Sequence, residues 1–302
     1  MTTDYDAVVI GGGPAGLACA LWLARYRLRV RLYDSGDPRN APTWAVHGYL
    51  GLQDIAPMEL RRIGRAQAAD AGAEIEAATV ARVTGECDAF QVHLTDGRRV
   101  STRRVVFATG LRDIIPEIAG LHDFYGTSIW HCPDCDGPSI QDRIVGVIGW
   151  GRSIAAFCME MLTWTDRLTI LTHGHDADLP PRAREALERF GIDVRTDPIE
   201  RLDGRDGTVE RVIFQNGDPL EVEAMFFHIA YGPGCSIPAE LGCAADEEGL
   251  LKVNVDHETS VPGIYAAGDI THGSKLAIRA AAEGTRAAIG VRRSLIPPER
   301  RV

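Results

Sequence analysis

Continuous apolar runs, each followed by a glycine turn and a helical pattern, recur along this chain. Tyr5 to Ile10 is the first such run and reads as a parallel strand buried on both faces. It leads through Gly11-Gly12-Gly13-Pro14-Ala15-Gly16 into an Ala- and Leu-rich helix ending at about Arg27, and a second apolar run, Arg29 to Tyr33, stops at Asp34. A turn-rich loop, Asp37 to Pro42, and the segment His47-Gly48-Tyr49-Leu50-Gly51 precede a helix predicted from about Pro57 to Ala71. Residues 81–83, 90–94 and 99–106 then alternate around an Asp96-Gly97 turn, which predicts a small antiparallel excursion. Val105 to Ala108 is a buried strand ending at Thr109-Gly110, and a domain boundary is placed near 112.

The pattern then starts again. Arg143 to Gly149 reads as a buried strand running into Gly149-Trp150-Gly151-Arg152-Ser153-Ile154, followed by a helix to about Leu162 and a second strand from Leu168 to Thr172. A repeated strand-turn-helix-strand order points to a second nucleotide-domain-like unit rather than one long sheet. Beyond it the sequence predicts a helix over 182–190, strands over 208–215 and 224–230, a strand before Gly268-Asp269, and a long amphipathic helix from Ser274 to Arg293. The tail from Ile296 to Arg300 is expected to fray. The fold class is therefore α/β, with two Rossmann-like nucleotide-binding domains.

Composition narrows the function. A net charge of −10, with 32 basic residues scattered among 42 acidic ones, offers no basic face to a phosphate backbone, so nucleic acid is not expected as a partner. The one long uncharged run, Ala7 to Ala24, is broken by Gly11, Gly12, Gly13 and Pro14, so a membrane span is not expected, and the acidic N-terminus is no secretory signal. A cytoplasmic protein follows. Seven thinly spread cysteines do not form a disulfide framework, and a single Cys-x-x-Cys with no partner ligands is not a zinc site, so no metal is expected.

Two stretches carry chemistry. Gly11, Gly13 and Gly16 fit the Gly-x-Gly-x-x-Gly turn that cradles a pyrophosphate at a helix N-terminus, with Asp34 at the distance where an acid meets a ribose hydroxyl. Trp130-His131-Cys132-Pro133-Asp134-Cys135-Asp136-Gly137 places two thiols two residues apart with an acid directly behind, suited to thiol–disulfide exchange with a nearby proton donor.

Taken together, Gly11 to Gly16, Ala108-Thr109-Gly110, Cys132 to Gly137, Gly149 to Ile154 and Ala266 to Asp269 stand in the order and spacing of the low-molecular-weight thioredoxin reductases, which the chain resembles over essentially its whole length. The resemblance implies an FAD-binding domain split into 1–112 and 243–302, with an NAD(P)-binding-like domain, 113–242, inserted and carrying the cysteine pair. It implies FAD contacts at Gly11, Gly13, Pro14, Ala15, Gly16, Asp34, Thr109, Gly110, Gly268, Asp269 and Ala277. Asp269 would hold the ribityl chain, and the following helix would point its N-terminus at the flavin's pyrimidine edge. Cys135 would face the flavin, Cys132 would exchange with substrate, and Asp136 would move the proton. A homodimer acting on a thioredoxin-like protein or a small dithiol or disulfide is expected from the same resemblance.

The departures concern the electron source. The second turn, whose Gly149, Gly151, Arg152 and Ser153 are the candidate nucleotide contacts, has the bulky Trp150 and carries Ile154 where the family has a small residue. The His-Arg-Arg that clamps a 2′-phosphate in NADPH-dependent members is replaced by Thr172-His173-Gly174-His175-Asp176, so NADPH or NADH as donor is doubtful. Lys275-Leu276-Ala277 replaces the family's Arg-Gln-Ala. His47-Gly48-Tyr49-Leu50 resembles a segment of the branch containing gliotoxin- and holomycin-type dithiol oxidases, although that branch shows His where this chain has Asp136. An FAD-dependent, thioredoxin-reductase-like dithiol/disulfide oxidoreductase that cycles Cys132 and Cys135 through the flavin is therefore expected, with an oxygen-using dithiol oxidase, a ferredoxin-fed enzyme and a non-enzymatic redox sensor as alternatives. His47 reads equally as a loop histidine, His228 as a core histidine, Trp130 and Trp164 as packing residues, and Cys235 and Cys243 as a pair only if their Cα atoms come within reach.

Overall fold

The structure is a computed structural model and describes residues 3–300. The chain divides into two compact units, the first containing the chain up to Ala41, Gly48–Arg112 and the chain from Tyr231 on, the second Pro42–His47 and Asp113–Ala230.

The first unit opens with β1 (Tyr5–Ile10), α1 (Pro14–Arg25), β2 (Val30–Asp34), α2 (Pro57–Asp70), β3 (Glu74–Ala77), β4 (Val80–Thr84), β5 (Phe90–Leu94) and β6 (Arg99–Phe107). Its sheet runs β3-β2-β1-β6-β5-β4, parallel from β3 to β6 and antiparallel from β6 to β4. Apolar side chains alone fill the inner positions of β1, where Ala7, Val8 and Val9 are fully buried. Pro14 occupies the first turn of α1, where its missing N–H costs nothing. The two segments read separately at 99–106 and 105–110 are one strand, β6.

The chain leaves through β7 (Leu111–Asp113), and the second unit adds α3 (Leu121–Phe124), β8 (Ile129–Trp130), α4 (Pro133–Asp136), β9 (Val145–Gly149), α5 (Ile154–Met161), β10 (Leu168–Leu171), α6 (Pro181–Arg189), β11 (Asp193–Arg195), β12 (Ile199–Arg205), β13 (Thr208–Phe214), β14 (Leu220–Glu221) and β15 (Ala224–His228). A parallel sheet, β11-β10-β9-β15-β8, is joined by an antiparallel ribbon, β12-β13-β14, of which only the middle strand is legible from periodicity. Its core has two faces, one lined by Ile154, Phe157 and Met161, the other by Ile129, Ile148 and Phe227.

The chain then returns through β16 (Tyr231–Pro233), α7 (Ile237–Glu240), β17 (Ile264–Ala266) and α8 (Ala277–Ser294). β17 adds to the C-terminal half of β6, and Arg292 and Arg293 in the last turn of α8 complement its negative end. A methyl on Gly284 would overlap the carbonyl of Ala15, so this glycine is what lets α8 cross close over the start of α1.

Two expectations on domain limits change. The return crossing lies between Ala230 and Tyr231, not at 242/243, because β16 pairs with β7 and the Gly234 N–H donates to the Gly110 carbonyl at 2.9 Å. Residues 42–47 belong with the second unit, where Ala45 and Val46 are buried and the Pro42 carbonyl lies so close over Gly126 that no side chain fits there. The tail expected to fray forms a single 3-10 turn at Pro298–Arg300. Among the described residues no helix is long and apolar enough to cross a membrane.

Candidate active site

Cys132 and Cys135 are joined in a disulfide, with S–S 2.06 Å and Cα atoms 5.3 Å apart. The geometry follows from the local sequence. β8 ends at Trp130, Pro133 starts the single turn α4, and the N–H groups of Cys135 and Asp136 both donate to the Cys132 carbonyl. A single turn of helix thus brings the two sulfurs together, and Asp136 follows at the turn's end. Gly137 must be glycine, because a side chain there would overlap the Trp164 indole, which closes over the turn.

Asp136 is only 6% exposed, and burial lifts its carboxyl from 3.8 to about 6, with His47 acting in the opposite direction. His47 Nε2 lies 3.9 Å from Asp136 Oδ1. The sequence left His47 between a loop role and a site role; the structure brings it to the acid behind the cysteine pair. Trp44 meets the His47 ring edge-on at 5.0 Å between centroids. His131, given no role from sequence, is held between Tyr125 Oη, 3.1 Å from its Nδ1, and Asp113, 3.7 Å from its Nε2. No motif signals either partner, since both come from outside the cysteine stretch. Trp130 packs on Phe226, in line with a structural role.

In the first unit the glycine turn has the shape of a dinucleotide cradle. A side chain at Gly11 would overlap the Ala108 carbonyl and one at Gly16 the Gly11 carbonyl, whereas Gly13 has open space around it. Gly13 caps α1 with no side-chain hydrogen bond and no acid in the first turn, so the first N–H groups and the positive end of the helix face a vacant approach. Ala15 touches both the Gly268 and Gly284 positions, which brings the Gly11–Gly16 turn and the Gly268-Asp269 turn together. Glu283 on α8 fixes the second turn by accepting from the Gly268 N–H at 2.8 Å and the Thr271 hydroxyl at 2.9 Å. Asp269 is paired with Arg39 at 3.2 Å, and Ala277 begins α8. Thr109 accepts from the Cys235 thiol at 3.6 Å, and Gly110 adopts a φ of 61°. Asp34 stands at the tip of β2 but is 5% exposed and accepts from Arg61 at 2.6 Å and Arg65 at 2.8 Å. Those two arginines were not found from sequence, because a helix face carrying them looks like an ordinary solvated face. The residues present fit FAD: an open, uncapped helix N-terminus lined by close-approach glycines suits a pyrophosphate.

The second glycine turn differs. Trp150 stacks on His175, with centroids 3.8 Å apart and planes at 18°. Ile154 fills the space beneath Gly149, where a side chain would overlap it. Arg152 makes a loose 3.9 Å pair with Asp178, both at the surface. Ser153 Oγ lies 3.0 Å from His228 Nε2, and His228 stacks on Phe157, so this histidine lines the nucleotide turn rather than the core. His173 Nδ1 accepts the Ile199 N–H at 2.9 Å, and burial beside His175 lowers its pKa, which disfavours the charged form. Cys235 and Cys243 do not pair, and Cys243 instead lies 3.5 Å from the Thr259 hydroxyl.

Comparison with known proteins decides the family: the model for pyridine nucleotide-disulphide oxidoreductases matches residues 5–284. The chain belongs to that family. It is 29% identical to the thioredoxin reductase tcpT of Claviceps purpurea, over 87% of this chain and 86% of that protein. Among solved structures, HlmI superposes with a TM-score of 0.90 at 35% identity, covering 96% of this chain and 92% of that one. A putative thioredoxin reductase TrxB from Bacillus anthracis gives 0.88 at 29%, covering 96% and 98%. This chain is thus an FAD-dependent, thioredoxin-reductase-like oxidoreductase acting on sulfur groups, with two Rossmann-like domains.

Proposed function

We propose that the protein oxidises a small-molecule dithiol to its disulfide and passes the electrons to oxygen rather than taking them from NADPH. One observation carries this reading: at the second nucleotide turn the family's arginine clamp is replaced by His173, which burial holds toward its neutral form, and by His175, on which Trp150 stacks. The arrangement removes the fixed positive charge that a 2′-phosphate needs.

The chemistry balances on the residues present. A substrate thiolate attacks Cys132 sulfur, the Cys132–Cys135 bond breaks, and Cys135 leaves beside Asp136. The second substrate thiolate then attacks the substrate sulfur of the mixed disulfide, closing the product ring and releasing Cys132. Two electrons now reside on the cysteine pair. Asp136, protonated below about pH 6, gives its proton to the leaving thiolate and recovers one when the pair is reoxidised. His47 sits within reach of the acid to stabilise its charged form. FAD, when bound, would supply the two-electron acceptor for the thiols and the route from them to oxygen, with hydrogen peroxide as the reduced product. The residues that would hold it are Gly11, Gly13, Pro14, Ala15 and Gly16, with Thr109, Gly110, Gly268, Asp269 and Ala277; Asp34 would reach a ribose only alongside Arg61 and Arg65. Five unpaired cysteines suit a reducing, cytoplasmic setting, and a homodimer is part of the same reading.

The test is anaerobic flavin bleaching with NADPH, NADH and dithiothreitol side by side. The expected outcome is bleaching by the dithiol alone, with colour and stoichiometric peroxide restored by oxygen. Bleaching by NADPH at a rate matching the dithiol would turn the reading into a reductase. Cys135→Ser is expected to stay yellow while losing dithiol-driven bleaching.

A further inference from the structure

We infer that Trp44 is a specificity residue that receives an apolar ring of the dithiol substrate, so that the protein prefers ring-bearing small dithiols to hydrophilic ones. The inference rests on the reading of a dithiol as substrate and names its class. Trp44 is 55% exposed although it lies in a segment whose next two residues, Ala45 and Val46, are 3% and 8% exposed. The segment is not free to turn the indole inward. The Thr43 hydroxyl donates to the Ala45 carbonyl at 3.2 Å, Pro42 lies against Gly126, and His47 holds the indole edge-on. A chain of contacts leads from the indole to His47, from His47 to Asp136, and along the backbone to Cys135. A large apolar side chain is therefore held partly in water, two contacts from the acid that follows Cys135.

Size selects the occupant. One indole offers at most about 250 Å² of contact, whereas a stable protein partner needs about 800 Å² per side. A single aromatic face fits one ring of a small molecule.

The experiment uses the FAD-loaded full chain and two redox-inert probes, the bis-S-methyl ethers of ortho-xylylene dithiol and of dithiothreitol, titrated calorimetrically. The wild type is expected to prefer the aromatic probe. Trp44→Ala is expected to reduce that preference about tenfold or more, and Trp44→Phe to keep most of it. An undiminished preference in Trp44→Ala, a loss in Trp44→Phe as large as in Trp44→Ala, or no preference in the wild type overturns the assignment. A lowered melting temperature with the preference intact also overturns it, because the indole would then only support the loop. The two readings separate cleanly. If the preference depends on Trp44 but no dithiol bleaches the flavin, the proposed oxidase function falls while the binding role stands; bleaching without the preference removes Trp44 alone.

Discussion

Two glycine turns with nearly the same sequence pattern have opposite fates in this molecule. At Gly11–Gly16 backbone closes over Gly11 and Gly16 and the Asp34 side chain over Gly12, Gly13 has open space around it, and no side chain caps the helix. At Gly149–Ile154 there is open space at Gly151 as well, but Ile154 packs against Gly149 where the first turn has Gly16, and Trp150 stacks on His175 in the loop after β10. A glycine pattern therefore fixes where the chain turns, and the intervening residues decide whether a nucleotide can enter. The first turn has the shape of a dinucleotide cradle, and the second differs from it in the side chains around it.

The comparison can be broken or sharpened in four ways. The largest effect is expected from Gly16→Ala, whose methyl would overlap the Gly11 carbonyl; the flavin absorbance per protein should fall to near zero, and a fully yellow variant would show that the first turn is not the cradle. Next comes Asp136→Asn, expected to slow dithiol oxidation about 100-fold or more by removing the proton carrier.

The same substitution reports on burial. Because the folded protein raises this carboxyl from 3.8 to about 6, the native state retains a proton that the unfolded chain has lost in that window. Stability therefore falls as pH rises through it, by about 3 kcal/mol in full above pH 6. Asp136→Asn should melt higher than wild type at about pH 8 and equally at about pH 3. A variant less stable at both would mean that the carboxylate is a structural partner.

A third effect is a gain. Trp150→Gly combined with Ile154→Ala should admit nucleotide and produce NADPH-driven bleaching that the wild type lacks. If the wild type already bleaches with NADPH, the contrast between the turns is void. The smallest effect is expected from His47→Gln. Removing the group that opposes burial should move upward the alkaline limb of the pH–rate profile, where Asp136 loses the proton it donates, and an unmoved limb would detach His47 from Asp136.

Much of this was open to the sequence because its signals are local. The apolar run at Tyr5–Ile10, the glycines after it and the Cys-x-x-Cys-Asp spacing each depend on a few neighbouring residues, so strand, turn and redox pair are fixed before any tertiary contact forms. The antiparallel ribbon Ile199–Glu221 was only partly visible, because its edge strands are short and half polar. What only the tertiary structure decided are the contacts made across long stretches of chain. Burial sets the acidity of Asp136, and an excursion from residue 42 to 47 delivers His47 and Trp44 to it. A stack between Trp150 and His175, on separate segments, forms at a turn that the sequence alone marks only as imperfect. Spacing along a chain specifies which groups are present, whereas desolvation and filled space are properties of the packed interior and exist only after folding.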